Sequence, residues 1–203
     1  MNTQPYLTVK QSTTAELVIE RSRFIGHCCE VETEEAAKAF IAGIRLEHAR
    51  ANHNCFAYRI GNTEHPLEYF NDHGEPSGTA GKPILGAIQR LNLVNTVVVV
   101  TRYFGGKKLG VRGLIEAYGQ AATLVLETAG IIQRIPQFEV TLVYEYTHHA
   151  LILHRLQQVE ASIKDTQFTE KVTLRLSIPE GQREAFRGLI SELAINHMEW
   201  DDQ

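Results

Sequence analysis

Strand-like and helix-like hydrophobic patterns alternate along the first third of the chain. Two short apolar-rich segments, AELVIE and RFIGHCCEV, predict a pair of strands. The next apolar residues have the spacing of one helix face, and they are Ala37, Phe40, Ile41 and Ile44. Thr33, which is followed by two glutamates, is typical of a helix N-cap, so a helix is predicted from there to about Arg50.

The middle third returns to strands and then becomes more strongly apolar. CFAYRI and LEYFND predict two strands around the polar turn GNTEHP. Helical spacing recurs at Ile84, Ala87, Ile88 and Leu91. Residues 96–100, TVVVV, form an unbroken β-branched run that is typical of a strand buried on both faces. A long helix is predicted to follow and to end at Gly130, and its apolar positions are Leu114, Ile115, Tyr118, Ala122 and Val125.

The segment IIQRIPQ, residues 131–137, is interpreted as a domain boundary, because Pro136 interrupts the pattern there. After it, the predicted strands are FEVTLVYEY, ASIKD, KVTLRLSI and a weak closing strand, HMEW. Two predicted helices carry Ile152, Leu153, Leu156 and Val159, and Phe186, Leu189, Ile190 and Leu193. This order is that of the ferredoxin-like split βαβ motif. The predicted domains are therefore residues 1–134 and 137–203.

Composition and charge narrow the class of protein. The chain has 203 residues, 43% hydrophobic and 22% charged, as in an ordinary globular protein. No apolar run approaches the length of a membrane span, and no signal-peptide pattern opens the sequence, so a cytoplasmic protein is expected. The net charge of −4 argues against a general nucleic-acid binder. The charge is uneven, however: residues 1–134 carry 14 basic and 13 acidic residues, and residues 135–203 carry 6 and 11.

Residues 70–85, FNDHGEPSGTAGKPIL, form the first of two glycine-rich stretches. A P-loop would need Gly where this chain has Pro76 and Ser or Thr where it has Pro83, which argues against nucleotide hydrolysis of that type. Pro83 instead fits the first turn of the following helix. Because the N-terminus of a helix attracts anions, an anion site is predicted at Gly78, Thr79, Gly81 and Lys82. The alternative is that Thr79 simply caps the helix while the glycines form a tight turn.

The same stretch carries side chains that are capable of acid–base or metal chemistry. Three of them are weak candidates for catalytic residues or metal ligands: Asp72, His73 and Glu75. A second possible ligand set is His48, His53 and Cys55. Neither set has a recognised zinc spacing, and Ser77 does not lie in a GxSxG elbow, so no metal and no cofactor is predicted. The cysteines are expected to be buried, reduced thiols, and they are Cys28, Cys29 and Cys55.

The second glycine-rich stretch, TRYFGGKKLGVRG, carries four cations and no acid. Its glycines do not match GxGxxG, so a dinucleotide cofactor is not predicted. Cations interleaved with aromatic residues favour phosphate contact together with stacking on exposed bases. The residues assigned to this site are Arg102, Tyr103, Gly105, Gly106, Lys107, Lys108 and Arg112. The alternative is that Tyr103 and Phe104 are core residues and that the lysines merely solvate a loop.

DHGEPSGTAGKPIL and NTVVVVTRYFGGKKLGVRGLIEAYGQA together resemble the signature of the IMPACT family, in particular its small bacterial YigZ-type members. RSRFIGH and HARANHNCFAYRIG are also similar to that family. Arg112 departs from the pattern, since related chains often have a small residue there. The resemblance implies an α+β protein of two domains, a ribosomal-protein-S5-domain-2-like α/β sandwich and a C-terminal ferredoxin-like (βαββαβ) domain. Both are similar to adjoining domains of elongation factor G.

The family resemblance also implies a link to translation control, with suspected binding of RNA or ribosomes, and it supplies no settled catalytic residues. The leading hypothesis is a non-enzymatic RNA- or ribosome-associated factor that binds polyanions at a basic cleft formed by both glycine-rich stretches. A second hypothesis is a hydrolase that uses the Asp/His/Glu loop. A third is an adaptor that binds a protein partner through the acidic C-terminal domain.

Overall fold

The computed structural model describes residues 4–192 and 198–201 of the chain. The chain divides into two compact units, one from Tyr6 to Arg134 and the other chiefly from residue 135 onward. Each unit has its own apolar core. None of the helices in the described part of the chain has the length and apolarity needed to traverse a bilayer. Leu193 of the last predicted helix and His197 of the predicted closing strand lie outside the described residues.

The first unit combines a five-stranded sheet, three helices and a separate pair of short strands within residues 6–134. Its elements are β1 (Tyr6–Val9), β2 (Thr13–Ile19), β3 (Ser22–Glu30), α1 (Glu34–Glu47), β4 (His53–Ile60), β5 (Leu67–Asn71), α2 (Gly81–Arg90), β6 (Thr96–Tyr103), α3 (Gly110–Ala129) and β7 (Ile131–Arg134). The large sheet has the order β2-β3-β6-β4-β5, and β1 pairs with β7. The predicted elements are confirmed to within a few residues. β1 is not among them, and β7 occupies part of the segment interpreted as a boundary.

The central strand β6 is covered on both faces, as its β-branched run predicts. Val98 and Val100 pack with residues of α2 and α3, whereas Val97 and Val99 pack with residues of α1. All four side chains are fully buried. Because each buried valine contributes roughly 1.5–3 kcal/mol, this strand is a major source of stability. The resulting helix–sheet–helix layering is the S5-domain-2-like α/β sandwich.

Antiparallel pairing brings four connections to one end of the large sheet. Arg102 near the end of β6 is in register with Phe24 of β3 and with His53, the first residue of β4. Asn71 at the end of β5 is in register with Phe56 of β4. We call this the loop end, and it comprises the β2–β3, α1–β4, β5–α2 and β6–α3 connections. The last two contain the glycine-rich stretches, so sheet pairing places both at the same end.

The second unit has the element order βαββαβ. Within the described residues it consists of β8 (Gln137–Tyr144), α4 (His149–Leu156), β9 (Ser162–Phe168), β10 (Val172–Pro179), α5 (Arg183–Glu192) and β11 (Met198–Asp201). The sheet is antiparallel with the order β11-β8-β10-β9. Phe138, Val140 and Leu142 alternate along β8 and pack in one core with Ile152 and Phe186 of the helices. The unit is ferredoxin-like, and the predicted fold class is confirmed.

Candidate functional site

Asp72 fixes the start of α2. Its carboxylate accepts hydrogen bonds from the backbone N–H groups of Gly78, Ala80 and Gly81 at 2.8–3.0 Å. A carboxylate at this position also complements the positive end of the helix dipole. These N–H groups include the donors expected to bind an external anion. In this structure the Asp72 carboxylate, an anion of the chain itself, already occupies these donors.

Thr79 is buried and does not cap α2. Its hydroxyl donates to the carbonyl oxygen of Pro76 at 2.7 Å, and Ala80 is the N-cap residue without a side-chain cap bond. Gly81 packs closely on β5, since an added Cβ would lie 2.8 Å from the backbone nitrogen of Asn71. Lys82, in contrast, has an exposed side chain. Of this predicted anion site, Lys82 therefore remains available to solvent.

His73 ties the first glycine-rich stretch to the start of β4. Its Nδ1 accepts a hydrogen bond from the N–H of Asn54 at 3.2 Å, and its carbonyl accepts one from His53 Nδ1 at 2.9 Å. Burial, with smaller contributions from Arg45 and His53, lowers the pKa of His73 and favours the neutral ring that accepts. The residue also has a positive φ of 42°, which is uncommon outside glycine. His73 thus positions the loop.

The side chain of Glu75 is buried, and its carboxylate has partners inside the protein. Its side chain is 5% exposed, and Oε1 accepts hydrogen bonds from Arg102 Nη1 at 2.7 Å and from the Tyr118 hydroxyl at 2.9 Å. His53 Nε2 lies 3.7 Å from the same oxygen. Burial raises the pKa of Tyr118, so this hydroxyl remains protonated and donates. All three weak catalytic candidates therefore hold the loop in place.

The cysteines are all free, and Cys28 and Cys55 are buried as predicted, whereas Cys29 is only half-buried. The Cys55 thiol donates to the carbonyl oxygen of Asp72 at 2.9 Å. Burial raises the pKa of Cys55 and of Cys28 to about 12, so neither is a thiolate at neutral pH. Across residues 4–192 and 198–201, no group of three or more His, Cys, Asp or Glu side chains is arranged to hold a metal ion.

Arg102 joins the two glycine-rich stretches from the inside. It is 5% exposed. Besides Glu75, its guanidinium contacts Ser22 Oγ at 3.4 Å and lies over the rings of Phe24 and Phe104, 5.4 Å from each centroid. The guanidinium that was predicted to contact phosphate is thus paired with a carboxylate within the protein.

The β6–α3 connection exposes Phe104 rather than Tyr103. The Tyr103 hydroxyl lies 3.0 Å from Nδ1 of His48, at the end of α1, and the residue is half-buried. Phe104 is 45% exposed, and its backbone N–H donates to Asn52 Oδ1 at 2.8 Å. Tyr103, to which the sequence analysis assigned base stacking, is thus the less exposed aromatic residue of the pair. Because β6 ends at Tyr103, the end of the strand pattern in the sequence is the signal that could have distinguished the half-buried Tyr103 from the exposed Phe104.

Gly105 and Gly106 have different environments. The N–H of Gly105 donates to Ser22 Oγ at 3.2 Å, and an added Cβ would lie 2.0 Å from the carbonyl oxygen of Arg21. This glycine lets the β6–α3 connection pack directly on the β2–β3 turn. Gly106 has a φ of 88° and open space around it. The lysines that follow are thereby presented beside the β2–β3 turn.

Exposed cations outnumber exposed acids at the loop end. Within the described chain, the four connections and the helical turns next to them expose Arg21, Arg50, Lys82, Lys107, Lys108 and Arg112. The exposed acids of the same segments are Glu20, which pairs with Lys107, and Glu47. One turn further along α3, Glu116 pairs with Arg112. A depression of about 380 Å³ beside this surface is lined in part by Glu20, Lys107 and Lys108.

Two histidines lie between the sheet and the end of α1. The ring centroids of His27 and His48 are 5.0 Å apart. Nδ1 of His27 also lies 3.1 Å from the hydroxyl of Thr14. Burial lowers the pKa of His27 to about 4, with a smaller contribution from His48 and an opposing one from Glu47. His27 is therefore neutral in the folded protein at neutral pH.

The depressed pKa of His27 predicts acid sensitivity. In the unfolded chain His27 becomes protonated below pH 6.5, whereas in the folded chain it stays neutral down to about pH 4. The free energy of unfolding should therefore fall between pH 6.5 and 4 by up to about 3 kcal/mol. His27→Asn should remove this contribution. Urea denaturation of both proteins across the window measures it. Parallel pH profiles for the native protein and the variant would contradict the prediction.

Fold and site together define a two-unit α+β protein whose glycine-rich loops are held by an internal ion pair and by hydrogen bonds beneath a basic surface. Residues 20–126 match the Impact N-terminal domain, and residues 142–194 match the Domain of unknown function (DUF1949). The chain is 40% identical to IMPACT family member YvyE of Bacillus subtilis, over 93% of this chain and 86% of that protein. It is 34% identical to YigZ of Escherichia coli over 87% of each. The chain therefore belongs to the IMPACT family.

A solved structure supports the same assignment at the level of the fold. The crystal structure of a hypothetical protein aligns with a TM-score of 0.70 and 31% sequence identity. The alignment covers 97% of this chain and 96% of the other. Both units are thus included in the match.

Proposed function

We propose that this protein is an RNA- or ribosome-associated factor linked to translation regulation, and that it acts by binding rather than by catalysis. The supporting observation is the charge at the loop end, where six exposed cations are accompanied by two exposed acids and by Glu116, which pairs with Arg112. The other acids of these loops, Asp72 and Glu75, are paired inside the protein and so do not offset the surface cations. Lys and Arg side chains in such a cluster contact phosphate groups. Membership in the IMPACT family supports the link to translation.

The proposed binding surface differs from the one expected from the sequence. Four predicted residues stay in it because their side chains are exposed: Lys82, Lys107, Lys108 and Arg112. Arg102 and the backbone of residues 78–81 leave it because their donors are used internally. Arg21 and Arg50 join it, since they are exposed on the neighbouring connections. A local patch of this kind is compatible with the net charge of −4.

Charge changes at Lys107, Lys108 and Glu20 test the proposal with opposite signs. Both side chains of the Lys107–Glu20 pair are exposed, and such a surface ion pair contributes little to stability. A phosphate group can therefore replace the Glu20 carboxylate beside Lys107. Lys107→Glu combined with Lys108→Glu should weaken the binding of labelled RNA by about 30-fold or more at low salt. Glu20→Gln should strengthen it, because Lys107 loses its competitor. Fluorescence anisotropy measures all three dissociation constants.

The matched control carries the same charge change in the second unit. Lys164→Glu combined with Lys171→Glu alters two exposed lysines of that unit and should leave RNA affinity nearly unchanged. Equal losses from both double variants would mean that net charge alone matters and would contradict the assigned surface. If the native protein bound no RNA but retained a protein partner after nuclease treatment, the adaptor hypothesis would replace this proposal.

A further inference from the structure

We infer that Phe104 is a stacking platform for an unpaired base, so that the RNA bound at the loop end is single-stranded. This inference rests on the proposed function and adds the class of RNA and the residue that selects it. It also assigns stacking to a different residue from Tyr103, whose hydroxyl is engaged with His48.

Phe104 ends a column of ring and guanidinium groups that starts in the core. Tyr118 meets Phe24 edge to face with centroids 5.2 Å apart, and both are fully buried. The Arg102 guanidinium lies over Phe24 and over Phe104, 5.4 Å from each centroid. Phe104 is the outermost member and is 45% exposed. A base that stacks on the exposed part of this ring would add one more group to the series.

The platform is held in place before any ligand arrives. Arg102 beneath the ring is fixed by the 2.7 Å bond to Glu75. The Phe104 N–H is fixed by Asn52, and the next residue, Gly105, is packed against the backbone of Arg21. A connection whose backbone is fixed in this way loses little conformational entropy on binding, which favours affinity.

The charges around the ring suit a single nucleic-acid strand. Lys107 and Lys108 follow Phe104 on the same connection, and Arg21 lies on the turn against which that connection packs. Phosphates on either side of a stacked base would therefore meet cations. In a duplex the faces of the bases are covered by their neighbours, and the ring would gain nothing. Aromatic stacking combined with a cationic track is typical of sites for single strands.

The experiment compares a single-stranded RNA of about ten nucleotides with the duplex of the same sequence. The native protein should prefer the single strand, and Phe104→Ala should weaken single-strand binding by roughly 5- to 100-fold while changing duplex binding little. Phe104→Tyr should retain affinity. Phe168→Ala, which removes an exposed aromatic ring of the second unit, is the control. Circular dichroism melting confirms that each variant is folded.

Phe104→Trp gives a second readout that does not depend on loss of affinity. A stacked base should quench the new indole, beyond any change that RNA causes in the native protein through Trp200. Salt-dependent RNA binding without strand preference, unaffected by Phe104→Ala and without quenching, would overturn this inference and leave the proposed function standing. Failure of the native protein to bind either form of RNA would overturn both.

Discussion

Glu75→Ala is expected to lower the free energy of unfolding by about 3–5 kcal/mol, because it leaves a buried charge without its partner. Arg102 is 5% exposed, and its only carboxylate contact among the described residues is Glu75. The hydroxyl of Tyr118 would lose its acceptor at the same time. Chemical denaturation of the native and variant proteins measures the difference.

Two further variants separate charge burial from a general weakness of the loop. Glu116→Ala removes the acid from an exposed pair, with side chains of Arg112 and Glu116 that are 93% and 56% exposed, and should change stability by less than about 1 kcal/mol. Glu75→Gln with Arg102→Met should recover much of the loss, since no charge then remains buried. A loss for Glu75→Ala as small as that for Glu116→Ala would show that the buried pair does not brace the loops.

Gly105→Ala is the second change with a large expected effect. The new Cβ would lie 2.0 Å from the carbonyl oxygen of Arg21 and 2.6 Å from the nitrogen of Ser22. Both are backbone atoms, so the β6–α3 connection must move away from the β2–β3 turn. A loss of about 3 kcal/mol is expected, together with weaker RNA binding, because Phe104 and Lys107 lie on either side of Gly105 in this connection.

Gly43→Ala provides the matched control. Gly43 lies in α1, and an added Cβ there would meet nothing within 4 Å. The same substitution should therefore stabilise the protein by about 0.5–1 kcal/mol, since alanine favours the helix. Thermal melting of both variants gives the comparison. A Gly105→Ala protein as stable as the native one would contradict the close packing of the two connections.

The fold could be predicted where local patterns carry the information. Residues 96–100 indicate a doubly buried strand by composition alone, and Thr33 is confirmed as an N-cap that accepts from the N–H of Ala36 at 3.1 Å. β1 and β7 escape prediction because each is four residues long. They are strands through pairing with each other, across more than a hundred residues of sequence, and no local pattern reports such a contact.

The site was harder to predict because its polar residues are paired over long distances. Arg102 belongs to a run of cations, yet strand alternation places it with Val98 and Val100 on the covered face toward α2 and α3. Its acid, Glu75, stands 27 positions earlier, and sequence spacing cannot show which acid turns inward. Asp72 likewise caps α2 from eight residues before Ala80, whereas N-cap signals in sequences are read at the helix start itself.

The salt dependence of RNA binding tests the central claim most directly. The logarithm of the association constant should fall linearly with the logarithm of salt concentration, with a slope of about −2 to −3 for three or four phosphate contacts on a single strand. Lys107→Glu with Lys108→Glu should make this slope shallower by about 1.4. A flat response of the native protein, or identical slopes for native and variant, would contradict a phosphate-binding surface at the loop end.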